Sequence, residues 1–256
     1  MKIINAGYEI LTPLRGIEEV RFIEKVARTC YKSEDKITED GSSARKMVGG
    51  LIRSGHEAML EHGGMTVRFT VDRGISHEIV RHRMASFAQE STRYCNYSKD
   101  KFGNEITVIL PNEFHDISEE RRFRLTRSAR WDEYSSKDEH ERAFEEWFCG
   151  CSAAEKSYFL MLERGCSPQI ARDVLPTSTK TELIMTANWR EWRHVFGLRC
   201  APDAHPQIRE VMIPLLCEVN EKVPVLFEDI FEKAYLQRAG IEADDDTAKT
   251  GLMPAT

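Results

Sequence analysis

Residues 65–71, Met65-Thr66-Val67-Arg68-Phe69-Thr70-Val71, alternate apolar and polar side chains without a break. Successive side chains of a strand point to opposite faces, so this segment is expected as a half-buried strand. Gly74 breaks it, and Ser76 is placed to cap a short helix running through about Met84. The same two periodicities partition the rest of the chain. Residues 1–14 read as extended as far as Pro13. Ile17, Val20, Ile23, Ala27 and Cys30 recur at spacings of three and four, which predicts a helix over 16–33. Met47, Leu51 and Ile52 predict a second helix over 43–54. Strands are expected over 106–110, where a β-branched run meets Pro111, and over 179–186. Further helices are expected over 153–163, from Pro168 to Pro176, and over 188–198 and 206–223, with 230–237 completing the packed part. Pro168 suits a first helical position, because its missing N–H has no helical partner there.

A chain of 256 residues, 41% hydrophobic, can bury about 70–75% of its unfolded surface. Neither a repeat nor a Ser/Gly/Pro-rich linker divides it. Residues 1–238 are therefore expected as one domain and 239–256, with Asp244, Asp245 and Asp246, as a disordered tail. The net charge of −6 argues against nucleic acid, which wants a basic face. No apolar run approaches the ~20 residues of a membrane helix, and the N-terminus lacks the apolar core of a signal peptide. No membrane association and a cytoplasmic location are the expectation. The seven cysteines, odd in number and irregularly spaced, fit reduced thiols. Cys149 and Cys151 lack a partner pair, so no structural zinc site is expected. Between 112 and 147, Arg121, Arg122, Arg124, Arg127 and Arg130 stand against Asp132, Glu133, Asp138 and Glu139. This predicts a solvated helical pair laced by i,i+4 ion pairs.

On this acidic background, residues 81–93 concentrate three arginines, one histidine and two serines. Guanidinium groups are always charged and present a fixed fork of donors suited to phosphate and carboxylate. A local cationic cluster on an acidic protein points to one defined anionic ligand rather than a polyanion. Glu78, Arg81 and His82 would share one helical face, whereas Arg81 and Arg83 lie about 200° apart and address different groups. If the chain after Met84 runs back extended, Ser91 and Arg93 share a face and pair a hydroxyl with a guanidinium. The alternative is a set of surface arginines complementing a helix dipole.

Arg81-His82-Arg83, two residues, Ser86, four residues, Ser91, one residue and Arg93 together resemble the signature of the flavin-dependent thymidylate synthases. Gly55-His56-Glu57 with Glu61-His62 resembles that family's upstream segment. Ala171-Arg172-Asp173-Val174-Leu175-Pro176 resembles its middle segment, and Asn188 to His194 with Leu198-Arg199 and His205 its C-terminal block. The resemblance implies an α+β fold, a mainly antiparallel sheet flanked by helices in a single domain. It implies reductive methylation of dUMP to dTMP, with FAD as cofactor, 5,10-methylenetetrahydrofolate as carbon donor and NADPH as reductant. It implies a homotetramer with interfacial active sites.

By the same resemblance Glu78, Arg81, Gln89, Glu90, Ser91, Thr92, Arg93, Arg172 and Arg199 surround dUMP. Arg81, His82, Arg83, Gln89, Asn188 and His194 contact FAD, and His56 and Glu61 line the pocket. Arg199 takes the catalytic role of polarising the uracil ring. No metal and no cysteine nucleophile are implied. Glu78 stands where several relatives carry glutamine, Gln89 where several carry glutamate, Ala88 and His194 where some carry asparagine.

Three other classes draw on some of the same residues. A metalloenzyme would draw on His56, Glu57, Glu61, His62, His77, Glu78 and His82. However, His77 and His82 are five apart, about 140° off a common helical face, whereas zinc hydrolases space two histidines by four. A conventional dinucleotide-binding oxidoreductase lacks its Gly-x-Gly-x-x-Gly after a strand. A non-catalytic nucleotide-binding module would share the arginines without needing Asn188, His194 and Arg199 together.

Overall fold

Backbone contacts divide the chain into two units, Met1–Glu9 with Val67–Met185 and Ile10–Thr66 with Thr186–Thr256. The computed structural model describes residues 1–129 and 135–238. Arg130, Asp132, Glu133 and the expected tail over 239–256 lie outside the described residues.

The first unit is built on strands. β1 (Lys2–Ile4) and β5 (Thr107–Ile109) pair in parallel, with Ile3 opposite Val108. The expected 106–110 strand is therefore real but shorter. β2 (Gly7–Ile10), β3 (Gly64–Asp72), β6 (Lys180–Asn188) and β4 (Ala85–Gln89) form an antiparallel sheet in the order β2-β3-β6-β4. The alternation read in β3 holds: Met65, Val67, Phe69 and Val71 are buried on one face, while Thr66, Arg68 and Thr70 stay partly exposed. β6 repeats the pattern with Leu183, Met185 and Ala187 inward. Each of the valine, leucine, methionine and phenylalanine side chains so withdrawn from water contributes roughly 1.5–3 kcal/mol.

α3 (Arg73–Ile79) follows β3 directly. Its cap is Asp72, whose Oδ1 accepts from the N–H of Ile75 at 2.7 Å, and not the expected Ser76. Asp72 ends the strand with an extended backbone, the conformation an N-cap needs, so the helix starts earlier. It also ends earlier. Beyond Ile79 the chain tightens into three-residue turns, the N–H groups of Arg81 and His82 donating to the carbonyls of Glu78 and Ile79. Arg81 and His82 therefore lie past the helix rather than on its face.

The charged region divides differently from expectation. α4 (Glu119–Ser128) is short, and α5 (Glu139–Glu163) is one helix of 25 residues that absorbs the segment expected separately over 153–163. Asp138 caps α5 by accepting from the N–H of Glu141 at 3.0 Å. Gly150, inside it, costs only about 1 kcal/mol relative to alanine and does not stop a helix whose Phe144, Cys151 and Tyr158 are buried. An i,i+4 pair of the expected kind forms between Arg124 and Glu120 at 3.1 Å, though with an acid outside the expected set; Arg142 pairs with Glu139 at 2.6 Å three residues apart, and Arg121 joins the two helices through Glu141. α6 (Pro168–Ala171) starts at the expected proline. Phe114, Ile117, Leu125 and Phe144 form one apolar cluster, and Tyr97, Ile106, Val108 and Tyr158 another.

The second unit is mostly helical. α1 (Ile17–Thr29) and α2 (Ser42–Arg53) fall close to expectation. Glu24, fully buried, holds Arg28 at 2.6 Å and accepts from the Ser43 hydroxyl at 3.0 Å. α7 (Trp189–Arg199) buries Trp189, Trp192, Val195 and Phe196, and α8 (Pro206–Lys222) and α9 (Glu228–Arg238) complete the unit. The Trp192 indole donates to the Met65 carbonyl at 3.0 Å. Arg193 ties α7 to α9 through paired contacts with Asp229 at 2.8 and 2.7 Å and reaches Glu57 at 3.0 Å. No helix among the described residues is long and apolar enough to cross a membrane.

Candidate active site

In the first unit, the signature segment spans the turn after α3, the edge strand β4 and the turn beyond it. Arg81 and Arg83 are exposed. Among the described residues their guanidinium groups make no ion pair or hydrogen bond, whereas Arg68 pairs with Glu9 at 2.7 Å and Arg142 with Glu139 at 2.6 Å. His82 is buried and Glu78 partly so. Ser86 sits on β4. Gln89 closes that strand, and its Nε2 donates to the hydroxyls of Ser76 at 2.9 Å and Thr181 at 3.3 Å. Because the Ser76 hydroxyl itself donates to the Arg73 carbonyl, the Gln89 amide is oriented with its nitrogen inward and its carbonyl oxygen left as an acceptor.

Ser91 and Arg93 do not share a strand face. β4 ends at Gln89, and residues 91–95 form a turn in which the N–H groups of Tyr94 and Cys95 donate to the Ser91 carbonyl. The Ser91 hydroxyl accepts from the Arg93 N–H at 3.3 Å, so a local side-chain contact competes with the extended form. The Arg93 guanidinium lies 5.6 Å from the Tyr94 ring centroid. Arg172, just beyond α6, donates to the Thr92 hydroxyl at 3.3 Å and thereby joins the middle segment to the turn. Glu90 is engaged internally. Its Oε2 meets Lys180 Nζ at 3.0 Å, and its Oε1 accepts from the Tyr97 hydroxyl at 3.3 Å.

In the second unit, Asn188 is the N-cap of α7. Its Oδ1 accepts from the Glu191 N–H at 2.8 Å, which leaves the amide NH2 as a donor. His194 is exposed on α7, and Arg199 is that helix's last residue, partly exposed. Burial pushes the Glu191 carboxyl up, with His194 opposing it. His56 is exposed ahead of a short helix over Glu57–His62, and Glu61 pairs with Arg190 at 2.6 Å. Cys200 is buried, and burial pushes its thiol up to about 12, with Cys217 adding to the shift. Hardly any thiolate exists there at neutral pH.

The sequence reading passed over Lys180 and Tyr97. Lys180 opens β6 and stands beside Glu90 only because the Glu90 N–H donates to the Glu182 carbonyl, 92 residues along the chain. No spacing rule carries such a pairing.

Within the first unit, the two unpaired guanidinium groups of Arg81 and Arg83 are of a chemistry that suits the anionic part of a flavin dinucleotide.

Residues 17–225 match the family model described as thymidylate synthase complementing protein. The chain is 32% identical over 214 residues to a flavin-dependent thymidylate synthase of Corynebacterium aurimucosum, covering 83% of this chain and 80% of the relative. It is 30% identical over 208 residues to one of Geobacter sulfurreducens, covering 79% and 78%. Its fold is similar to that of the UMP/dUMP methylase PolB from Streptomyces cacaoi bound with 5-Br dUMP. The TM-score is 0.69 at 26% identity, with 91% of this chain and 97% of that one covered. The match across the signature, middle and C-terminal segments together shows that the chain belongs to the thymidylate synthase complementing protein family, that of the flavin-dependent thymidylate synthases.

Proposed function

We propose that the protein makes dTMP from dUMP by reductive methylation at uracil C5, with 5,10-methylenetetrahydrofolate as carbon donor and NADPH as reductant. We assign residues 1–238 as the catalytic domain, acting in a homotetramer. The observation that carries the reading is the pair of unpaired, exposed guanidinium groups at Arg81 and Arg83 inside the family signature. A cation without a protein counterion is a ready partner for a ligand's charge.

Arg81, Gln89, Ser91, Thr92, Arg93 and Arg172 are assigned to dUMP, with Glu78 beside them. Glu90 stands within this segment, but its carboxylate is held by Lys180 and Tyr97 and its N–H and carbonyl by Glu182 and Arg73, so it is assigned to support the turn and not to contact the nucleotide. The Ser91 hydroxyl accepts from Arg93 and keeps its own proton to donate to a phosphate oxygen. The Gln89 carbonyl is left to accept an N–H or O–H of the nucleotide. Arg81, His82, Arg83, Gln89, Asn188 and His194 are assigned to FAD, which when bound supplies the hydride for the transferred carbon. His56 and Glu61 are assigned to the pocket lining.

Arg199 is assigned the catalytic role. A guanidinium at uracil N3 and O2 stabilises negative charge that develops on the ring as C5 attacks the methylene carbon, the logic of an oxyanion hole. Activation by a cysteine thiolate is disfavoured at Cys200, since its thiol is buried and held protonated.

Arg199→Ala tests the assignment. Turnover should fall at least about 100-fold, the usual cost of losing one preorganised donor to developing charge, while the thermal unfolding curve stays in place. Turnover near wild type would remove Arg199 from this role.

A further inference from the structure

Glu90 poses an electrostatic problem. It lies outside the fixed positions of the signature and puts a carboxylate one residue before Ser91, assigned to the phosphate of dUMP, and three before Arg93, assigned to the same ligand. Left alone, that carboxylate would repel the ligand. The structure answers it with a cation from another strand. Lys180 Nζ sits 3.0 Å from Glu90 Oε2 and 3.0 Å from Glu182 Oε1. The Glu182 N–H donates to the same Glu90 oxygen at 3.3 Å, and the Tyr97 hydroxyl holds the other. Arg73 Nη2 donates to the Glu90 carbonyl at 3.2 Å. The Glu90 and Lys180 side chains are only 12% and 19% exposed, so water screens the pair weakly.

We propose that Lys180 is a positioning and charge-balancing residue for the substrate phosphate, fixing the Glu90 carboxylate against β6 so that the Ser91–Arg93 turn meets a dianionic ligand without opposing charge. This rests on the reading of the chain as a dUMP methylase. The two carboxylates, Glu90 and Glu182, and the two cations, Lys180 and Arg73, balance. Removing Lys180 leaves one negative charge beside the turn. Burial opposes the Lys180 ammonium, but the two carboxylates outweigh it and raise its pKa, so it is charged throughout the working range.

The test is Lys180→Met in the full chain with FAD bound, with Lys180→Gln as a second variant should the first lose its fold. Kinetics and calorimetry compare dUMP with deoxyuridine, which lacks the phosphate. The expected result is a roughly tenfold rise in KM for dUMP, kcat within about twofold, and an unchanged affinity for deoxyuridine. Lys180→Arg should keep the wild-type KM. Adding Glu90→Gln to Lys180→Met should recover most of the lost dUMP affinity, which a merely structural lysine would not allow. A dUMP KM within about twofold of wild type, or equal losses for dUMP and deoxyuridine with no recovery in the double variant, overturns the inference while the methylase reading stands. Wild-type protein that does not bind dUMP overturns both.

Discussion

Gly64 has no room for a side chain. A Cβ built there would lie 2.2 Å from the Ala187 carbonyl oxygen and 2.8 Å from Asn188 Cα. Ordinary contacts begin near 3.5 Å, so β3 and β6 would have to part by about 1 Å. Neither neighbour is a flexible side chain. The displacement pulls on two specific contacts, the Met65 carbonyl with the Trp192 indole and the Asn188 cap on α7. Weakening a buried hydrogen bond costs about 1 kcal/mol, losing a cap about 1 kcal/mol, and repacking an overfilled core about 1–3 kcal/mol. Gly64→Ala should therefore cost roughly 3–5 kcal/mol, a large share of the 5–15 kcal/mol typical of a native protein. Urea unfolding at one fixed protein concentration reads this directly, and the midpoint should fall by roughly 1–2 M. A midpoint within about 0.2 M of wild type would refute the close approach of β3 and β6 at Gly64.

Gly197 makes the opposite case: a Cβ there meets nothing within 4 Å and the residue lies inside α7. Gly197→Ala should therefore raise stability by about 1 kcal/mol and the melting temperature by about 2–4 °C; a lower melting temperature would contradict this. Burial pushes the Asp229 carboxyl up, but its bonds to Arg193 outweigh that and leave its pKa lowered. Its stabilising effect is thus complete above the ordinary carboxylate value near ~4 and is lost as pH falls below it. Asp229→Asn should flatten the wild-type decline in melting temperature below about pH 4, and an unchanged acid slope would count against it.

Elements whose signal is local were legible in the sequence. β3 announced itself by strict alternation, and α1 by Val20, Ile23 and Ala27 at helical spacing, all now buried. β4 was legible only as a conditional extended segment, because Ala85-Ser86-Phe87-Ala88-Gln89 is poor in β-formers and pairs with β6 far along the chain. The start of α3 was misplaced because Asp72 and Ser76 are both good caps, and only the end of β3 decides between them. At the site, residue identity and spacing exposed the arginines. Spacing could not foresee that Gln89 would be locked by Ser76 and Thr181, or that Glu90 would face Lys180. Those contacts exist only once the sheet has formed.

The central claim is that this chain carries a flavin-dependent route from dUMP to dTMP with no thiolate attack. It is tested most directly by following the flavin spectrum and the nucleotide pool together. The account predicts that NADPH bleaches the bound flavin, that dUMP with methylenetetrahydrofolate restores its colour, and that one dTMP appears per flavin reoxidised under anaerobic conditions. Reoxidation without dTMP, or dTMP formation by protein stripped of flavin, would contradict it.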